Sequence, residues 1–245
     1  MLRGIYTAAA GMLTQAVRLS TLGNNLSNVE TPGYRQDIVE ERTFEELLLA
    51  RIAGGSTEIG PLGLGSVPLR PEIDLSPGPI EATGRALDLA LVGDGFFVVQ
   101  GPDGPLYTRN GAFFQDANGR LVTLQGWPVL GQEGLLQSDV PMTVGPDGVV
   151  RAGENVVGQL QVVTFPEETR FQKIEGQYLV PEEGLPTPVA APRLQPGHLE
   201  GSNVNLTSTM TDLLTAARSY QMAQRALTTH DEALGRLLQE TSQQV

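Results

Sequence analysis

Apolar residues recur at spacings of three and four at both ends of the chain. Over short runs in its middle they alternate with polar ones. From Met210 one stripe passes through Leu213, Ala217, Tyr220, Leu227, Leu234 and Leu238, with Gln224 and Asp231 as its polar members. The positions between are mostly Thr, Ser, Arg, Gln, Glu and His, and no proline falls between Ser202 and Gln244. A stripe this narrow predicts a long amphipathic helix carrying a coiled-coil seam. One such helix cannot bury its stripe alone. A matching stripe lies at the other end of the chain, at Ile5, Ala8, Met12, Gln15, Leu19, Leu22, Leu26 and Val29, apolar except for Gln15. The two ends are therefore expected to pair. The first helix is expected to stop where Asn24, Asn25 and Asn28 lead into Thr31-Pro32-Gly33. Asparagine competes with the helix through its side chain, and proline disfavours helical geometry at the residue before it.

Glu40 to Ile52 reads as a short helix with Phe44, Leu47, Leu48 and Ile52 on one side, and Gly54 to Pro71 reads as a loop. Strand signals begin near Glu72. Leu87, Leu89 and Leu91 alternate with Asp88, Ala90 and Val92, and Phe96 to Gln100 reads as a buried strand. Gly101-Pro102-Asp103-Gly104 is a turn, and the same four residues recur at Gly145 to Gly148. Asn118-Gly119 predicts a hairpin between Phe113-Phe114 and Leu121-Val122. Val156 to Phe165 reads as one strand, and Pro181 to Pro196 as a proline-rich connection. The expected architecture is α+β. A coiled-coil helix spans 1–30, a linker with the short helix 31–71, an all-β domain of short antiparallel strands 72–196, and a second coiled-coil helix 197–245.

The 29 glycines and 17 prolines fall mostly in the middle, in keeping with a turn-rich centre between helical ends. The formal net charge of -12 argues against nucleic acid, which needs a basic stripe, and against an anionic membrane surface. The absence of cysteine excludes disulfide scaffolds, thiol catalysis and thiolate metal sites. No stretch approaches the ~20 apolar residues that span a bilayer. The apolar run from Met1 to Ala10 is followed by Gly11, Thr14 and Gln15 and interrupted by Thr7. Its period is that of a helix, not of a cleaved signal peptide.

Candidate chemistry is sparse. His198 and His230 lie far apart in sequence with no convergent partners, so neither signals a metal or catalytic role. Glu167-Glu168 and Glu182-Glu183 follow prolines in loops, where paired acids are usually solvated. Asp116-Ala117-Asn118-Gly119 resembles the opening of a calcium loop, but the later ligands are missing and a hairpin turn accounts for it. No phosphate loop, nucleophile elbow or dinucleotide fingerprint is present. No catalytic, cofactor or metal site is expected.

One stretch is more specific. Asn24-Asn25-Leu26-Ser27-Asn28-Val29-Glu30-Thr31-Pro32-Gly33-Tyr34-Arg35 resembles the N-terminal signature of the bacterial flagellar rod and hook axial proteins. Asp94-Gly95-Phe96-Phe97-Val98-Val99 resembles the Gly-Phe-Phe strand of that family. Tyr107-Thr108-Arg109-Asn110-Gly111-Ala112-Phe113, followed by Asp116, Gly119, Leu121-Val122-Thr123 and Gly126, resembles its central hairpin. Leu199-Glu200-Gly201-Ser202-Asn203-Val204-Asn205, with Arg218-Ser219-Tyr220 beyond it, resembles its C-terminal signature. Relatives usually carry an acid soon after Ser-Asn-Val-Asn. Here Leu206-Thr207-Ser208-Thr209 follows, leaving Asn205 or Thr207 to cap the helix.

The resemblance implies a non-enzymatic subunit of the basal-body rod, the drive shaft that transmits torque to the hook for motility. Such a subunit polymerises helically through paired terminal helices and carries its β domain outside. It implies contacts with copies of itself and with other rod and hook proteins. It also implies export through the flagellar type III apparatus without a cleaved signal, and no cofactor, nucleic-acid partner or membrane insertion. The length and the stretch Leu199 to Val204 lean toward the distal rod member and its proximal relative. A hook protein relative, a rod-associated assembly factor and, more remotely, a secreted β-domain glycan hydrolase are the alternatives. The assembly residues are then the seam positions Ile5, Met12, Leu19, Leu22, Leu26, Met210, Leu213, Ala217, Tyr220, Leu227, Leu234 and Leu238. The family motif maps onto Asn24, Asn25, Asn28, Thr31, Gly33, Tyr34, Ser202, Asn203, Val204 and Asn205.

Overall fold

The computed structural model describes residues 2–43, 47–51, 57–62, 66–68, 70–166 and 168–242. An N-terminal helix, a strand-rich middle and a C-terminal helix follow one another in an α+β chain. The chain falls into two compact units. The first comprises Met1–Leu26, Asp37–Glu72 and Leu206–Val245, and the second Ser27–Gln36 and Ile73–Asn205.

In the first unit, helix α1 runs over Leu2–Ser27 and helix α2 over Leu206–Ser242. Asn25, buried near the end of α1, accepts from Asp37 N at 2.9 Å and donates to Asp37 O at 2.8 Å. Its amide thus gives the returning chain the hydrogen bonds of a strand neighbour. Asn205 stands immediately before α2, at the N-cap position. Between the helices in sequence, Glu41–Thr43 pairs antiparallel with Ser66–Pro68, and Leu47–Arg51 with Thr57–Leu62.

These strands correct two expectations. The short helix over 40–52 is strand in its described parts, with Leu47 and Leu48 in Leu47–Arg51, while Phe44 and Ile52 lie outside the described residues. The stretch from Gly54 to Pro71 contains strands instead of being all loop. Three consecutive leucines suit a helix or a strand equally. Pairing with Thr57–Leu62 satisfies the backbone and decides between them.

The helices also bury a different face from the one their large apolar residues mark. On α1 the buried residues are Thr14, Thr21 and Asn25, while Ile5, Met12, Leu19, Leu22 and Leu26 are half-buried. On α2 Thr209 and Ala216 are buried, and Leu213, Tyr220, Ala223, Leu227 and His230 half-buried. Leu213, Tyr220 and Leu227 belong to the sequence stripe. At the alternate positions Met210 is 50% exposed, and Gln224 and Asp231 also face solvent. Ala217 is half-buried, and the side chains of Leu234 and Leu238 lie outside the described residues. Hydropathy marks large side chains and leaves small or polar ones such as Thr14, Thr21 and Ala216 unmarked. At Gly4 a Cβ would stand 3.0 Å from His230 Nε2, so the two helices touch there.

The second unit is built on a six-stranded antiparallel sheet. Its order is Phe171–Ile174, Tyr178–Pro181, Pro105–Thr108, Phe96–Gln100, Val162–Thr164 and Thr187–Pro188. Phe96–Gln100 lies inside this sheet and is buried on both faces. Phe97 and Val99 join the larger core, with Phe113 edge-on to Phe97 at 5.2 Å. Phe96 and Val98 join a smaller cluster with Tyr107, Val163 and Leu179. The larger core also receives residues of a three-stranded sheet, Met142–Val144, Val149–Ala152 and Asn155–Gln159.

The hairpin expected at Asn118-Gly119 forms, with Phe114 opposite Val122 and Gln115 opposite Leu121. The single strand expected over 156–165 is two, Asn155–Gln159 and Val162–Thr164. The first pairs with Val149–Ala152 and the second with Phe96–Gln100, so the chain changes sheets at Leu160-Gln161. Leu89, Ala90 and Leu91 are all buried, so the alternation read there is replaced by burial on both faces. The connection 181–196 contains the short strands Thr187–Pro188 and Leu194–Pro196.

The helix faces give a direct comparison. Ala216→Asp is expected to lower the stability of the free chain by about 2 kcal/mol or more, because it buries a carboxylate. Asp231→Ala should change it by no more than about 0.5 kcal/mol. Thermal melts followed by far-ultraviolet circular dichroism separate the two, and equal effects would place the buried face of α2 elsewhere.

Candidate functional site

Three segments far apart in sequence meet in the second unit: 31–36, 108–111 and 199–203. The chain leaves α1 through a tight turn in which Thr31 N donates to Asn28 O at 3.1 Å and Thr31 Oγ1 to Asn28 Oδ1 at 3.1 Å. Gly33 follows at φ 68°, and a Cβ there would lie inside 3.0 Å of Asn110 N and Arg109 C. Only glycine fits, on both counts. The close approach lets Gly33 N donate to Glu200 O at 2.7 Å. Asn203 N donates to Tyr34 O at 3.3 Å, and Gln36 N donates to Asn203 Oδ1 at 2.7 Å. The N-terminal and C-terminal motifs are thereby bonded backbone to backbone and backbone to side chain.

Glu200 is the hub, with a side chain 1% exposed. Arg35 Nη2 lies 2.6 Å from its Oε1 and Arg109 Nη1 donates to its Oε2 at 3.3 Å. Gly78 N donates to Oε1 at 3.0 Å. Arg109 Nη2 donates to Gly93 O at 2.8 Å, and its guanidinium carbon stands 5.4 Å from the centre of the Phe96 ring. Burial pulls the Arg109 guanidinium below the ordinary arginine range, Glu200 pushes back, and Arg35 adds a like-charge contribution in the direction of burial.

Around the hub, Tyr34 is fully buried, with Lys173 Nζ 4.2 Å from its ring centre and donating to Arg35 O at 2.6 Å. Asn203 Nδ2 donates to Asp74 O at 3.0 Å and to Ser76 O at 3.1 Å. Asp74 accepts from Gln36 Nε2 at 2.8 Å and from Ser76 N at 2.9 Å. Burial pushes the Asp74 carboxyl up, but the Gln36 and Ser76 hydrogen bonds and the Arg35 charge outweigh it and hold it below the usual carboxylate range.

Of the motif residues, the structure brings Asn28, Thr31, Gly33, Tyr34, Ser202, Asn203 and Val204 into this unit, with Ser202 Oγ accepting from Val204 N at 3.2 Å. Asn24 is exposed on α1, Asn25 is tied to Asp37 in the first unit, and Asn205 is exposed at the helix start. The seam residues lie in the first unit and take no part in the junction. Arg35, Arg109 and Glu200, the charged centre, stand inside the quoted motifs but are not among the residues singled out from sequence. Only Glu200 stands between an apolar residue and a glycine, Leu199 and Gly201; Arg35 precedes Gln36 and Arg109 lies between Thr108 and Asn110, so no local pattern marks the two arginines. Lys173, Gly78 and Asp74 lie outside the motifs, and no local pattern marks them.

The other candidates resolve into ordinary structure. His198 Nδ1 lies 3.0 Å from Pro196 O, and His230 sits against Gly4. Asp116 Oδ1 accepts from Asn118 N and Arg120 N, and its Oδ2 pairs with Arg120, which is a hairpin clasp and not a cation loop. Among the described residues no group of three or more His, Asp or Glu is placed to hold a metal ion. The junction is a clamp. Its groups hold one another, and none is paired as nucleophile and base.

Three family models match the chain in order. "Flagella basal body rod protein" covers residues 5–35, "Flagellar hook protein FlgE/F/G D1 domain" 90–152, and "Flagellar basal body rod FlgEFG protein C-terminal" 195–240. Each of the three supplies one member of the charged hub: Arg35, Arg109 and Glu200 respectively. The flagellar basal-body rod protein FlgG of Bacillus subtilis (strain 168) is 35% identical, over 97% of this chain and 98% of its own length. The chain belongs to the flagellar basal-body rod family. FlgG of Borreliella burgdorferi is 32% identical over 96% of this chain and 97% of its own. The basal-body rod protein FlgF of Escherichia coli (strain K12) is 32% identical over 95% of each. This rod-family chain is a structural subunit of the flagellar basal body, assembling with other rod and hook components, and is not an enzyme. The glycan-hydrolase alternative is thereby set aside. Among the described residues no helix is long and apolar enough to cross a membrane.

Two outcomes test the clamp. Glu200→Gln leaves two buried guanidiniums without their shared counter-charge and is expected to cost about 3 kcal/mol or more in urea unfolding. A cost below about 1 kcal/mol would mean that the charges do not hold the junction. The Asp74 carboxyl titrates below the ordinary aspartate range, so its contribution is present above that range and is lost as pH falls through the folded value. The stability gap between the native chain and Asp74→Asn at neutral pH should therefore narrow below about pH 4. A gap that does not vary with pH would refute the assignment.

Proposed function

We propose that this rod subunit polymerises helically through α1 and α2, which form a coiled coil, to build the shaft that carries torque to the hook for motility. The observation that carries the reading is an apolar stripe left half-covered in a single chain. Ile5, Met12, Leu19, Leu22 and Leu26 are half-exposed on α1. Tyr6 and Leu13 stand 75% and 60% in solvent, and Leu214 and Met222 on α2 57% and 63%. Helices of other copies cover these residues in the filament. Different patches of each copy meet, and such heterologous contacts propagate an open helix where a closed ring does not form. The β-rich region is the outer body. Its interior is filled by its own side chains and needs no partner.

The partners are copies of this chain, other rod and hook proteins, and the flagellar type III export apparatus, which takes the subunit without a cleaved signal. Nucleic acid and membrane insertion have no part in the reading. Near-equal identity to FlgG and FlgF relatives suits either the distal rod member or its proximal relative. A chain replaced by Leu19→Glu with Leu22→Glu should leave the second unit folded and give basal bodies with a missing or truncated rod by electron microscopy. Deletion of the gene should do the same, and an intact, motile flagellum in either strain would overturn the assembly role.

A further inference from the structure

Two asparagines in this chain precede glycine, at Asn110-Gly111 and Asn118-Gly119. A following glycine leaves its backbone nitrogen unhindered, because it has no side chain to shield it. That nitrogen, on releasing its proton to water, can attack Cγ of the asparagine. A new C–N bond forms, the C–N bond of the carboxamide breaks, and ammonia leaves. Water then opens the five-membered imide at one carbonyl or the other, giving aspartate or its β-linked isomer. Water is the only co-reactant. The step needs a carboxamide that can turn over its own backbone and a glycine nitrogen released from its acceptor. By sequence the two pairs are alike. The structure separates them.

At Asn118 little stands in the way. The residue is exposed at the tip of its hairpin, and its carboxamide makes no hydrogen bond among the described residues. Gly119 N donates to Asp116 O at 3.0 Å, and Gln137 Nε2 donates to Asn118 O at 2.9 Å in an exposed contact. Releasing these opens one turn, which costs far less than opening a sheet. The pairing of Phe114 with Val122 and of Gln115 with Leu121 need not break.

At Asn110 each requirement is opposed. Oδ1 accepts from Ala112 N at 2.9 Å and Nδ2 donates to Gln177 Oε1 at 2.8 Å, so the carboxamide is held at both ends. Asn110 N donates to Thr108 Oγ1 at 3.0 Å. The backbone is also walled in. A Cβ on Gly33 would stand 2.3 Å from Asn110 N, and one on Gly111 would stand 1.8 Å from Leu89 O. An imide at this position therefore requires segments 31–36 and 108–111 to part.

We propose that Asn118 is a site of spontaneous deamidation in the folded chain, and that the closed junction shields Asn110 from the same reaction. The two conversions have opposite consequences. At Asn118 the new carboxylate, or the extra backbone methylene, stays in an exposed loop outside the junction. At Asn110 a carboxylate cannot donate to Gln177 Oε1, and the β-linked isomer lengthens the backbone where Gly33 leaves no space. A chain whose junction stays open is thus converted, one way, into a chain that cannot close it.

Peptide mass spectrometry after incubating the full-length chain in mildly alkaline buffer reads both sites at once. In the folded chain Asn118 is expected to convert at least about tenfold faster than Asn110, and in urea the two rates should come within about threefold of each other. Gln177→Ala removes the acceptor of Asn110 Nδ2 and should raise the Asn110 rate by about threefold or more, with the Asn118 rate unchanged as the control for global unfolding. Similar rates at the two sites in the folded chain would overturn the proposal. So would a folded chain that keeps Asn118 intact over a time in which the urea-unfolded chain converts fully. An Asn110 rate that Gln177→Ala leaves unchanged would refute shielding by its side-chain bonds.

Discussion

Glu200 can satisfy two arginines only because the backbone has already brought Gly33 against Asn110. A glycine at positive φ with no room for a Cβ admits the N-terminal segment to the hairpin wall, and Gly33 N then finds Glu200 O. Once the three segments are in place the carboxylate is enclosed, its oxygens bonded to Arg35, Arg109 and Gly78. The junction depends on that enclosure, while the sheets beside it are held by their own apolar cores. Four guanidinium nitrogens, Arg35 Nε, Nη1 and Nη2 and Arg109 Nε, make no hydrogen bond among the described residues, Arg35 Nη2 meeting Glu200 as an ion pair alone. A buried ionic group so incompletely satisfied is a costly way to gain stability. Its value lies in selecting which segments meet, since a mismatched segment would leave an uncompensated buried charge.

The helical unit solves a different problem by different means. Its inner face carries Thr14, Thr21, Asn25, Thr209 and Ala216, and its outer faces carry Leu13, Tyr6, Leu214 and Met222. A soluble monomer would arrange these the other way round, because each large apolar side chain withdrawn from water stabilises by about 1.5–3 kcal/mol. In the proposed assembly this exposed apolar area is kept for contacts that form in the filament.

The architecture was legible in the sequence wherever a local rule sufficed. Asn118-Gly119 announced its hairpin, Phe96 to Gln100 its buried strand, and the three-four spacing both long helices. The residues the helices bury within the chain were not legible, because hydropathy gives no signal for small or polar positions such as Thr14, Thr21 and Ala216. The stretch 40–52 was misassigned because a leucine run takes the structure its partner imposes, and that partner, Thr57–Leu62, carries no strong strand signal. At the junction the motifs pointed to the right segments. Which of their residues carried the energy needed the fold, since Arg35 and Glu200 are 165 residues apart in sequence.

The match of three separate family models to the three arms of one ionic hub bears on why these motifs occur together. Asn28, Thr31 and Gly33 shape the turn that delivers Arg35, Thr108 and Asn110 shape the hairpin that delivers Arg109, and Ser202 and Asn203 tie down the segment that delivers Glu200. Within each motif the polar residues bond mainly to backbone. They set the path of the chain, and the charges add to the backbone bonds through which the N-terminal and C-terminal motifs meet. Changing a turn residue in one motif therefore misdirects a charge that the other two motifs require. The three signatures are in effect one structural element distributed along the chain, and substitutions in different motifs should be strongly non-additive, as they are for groups in one network.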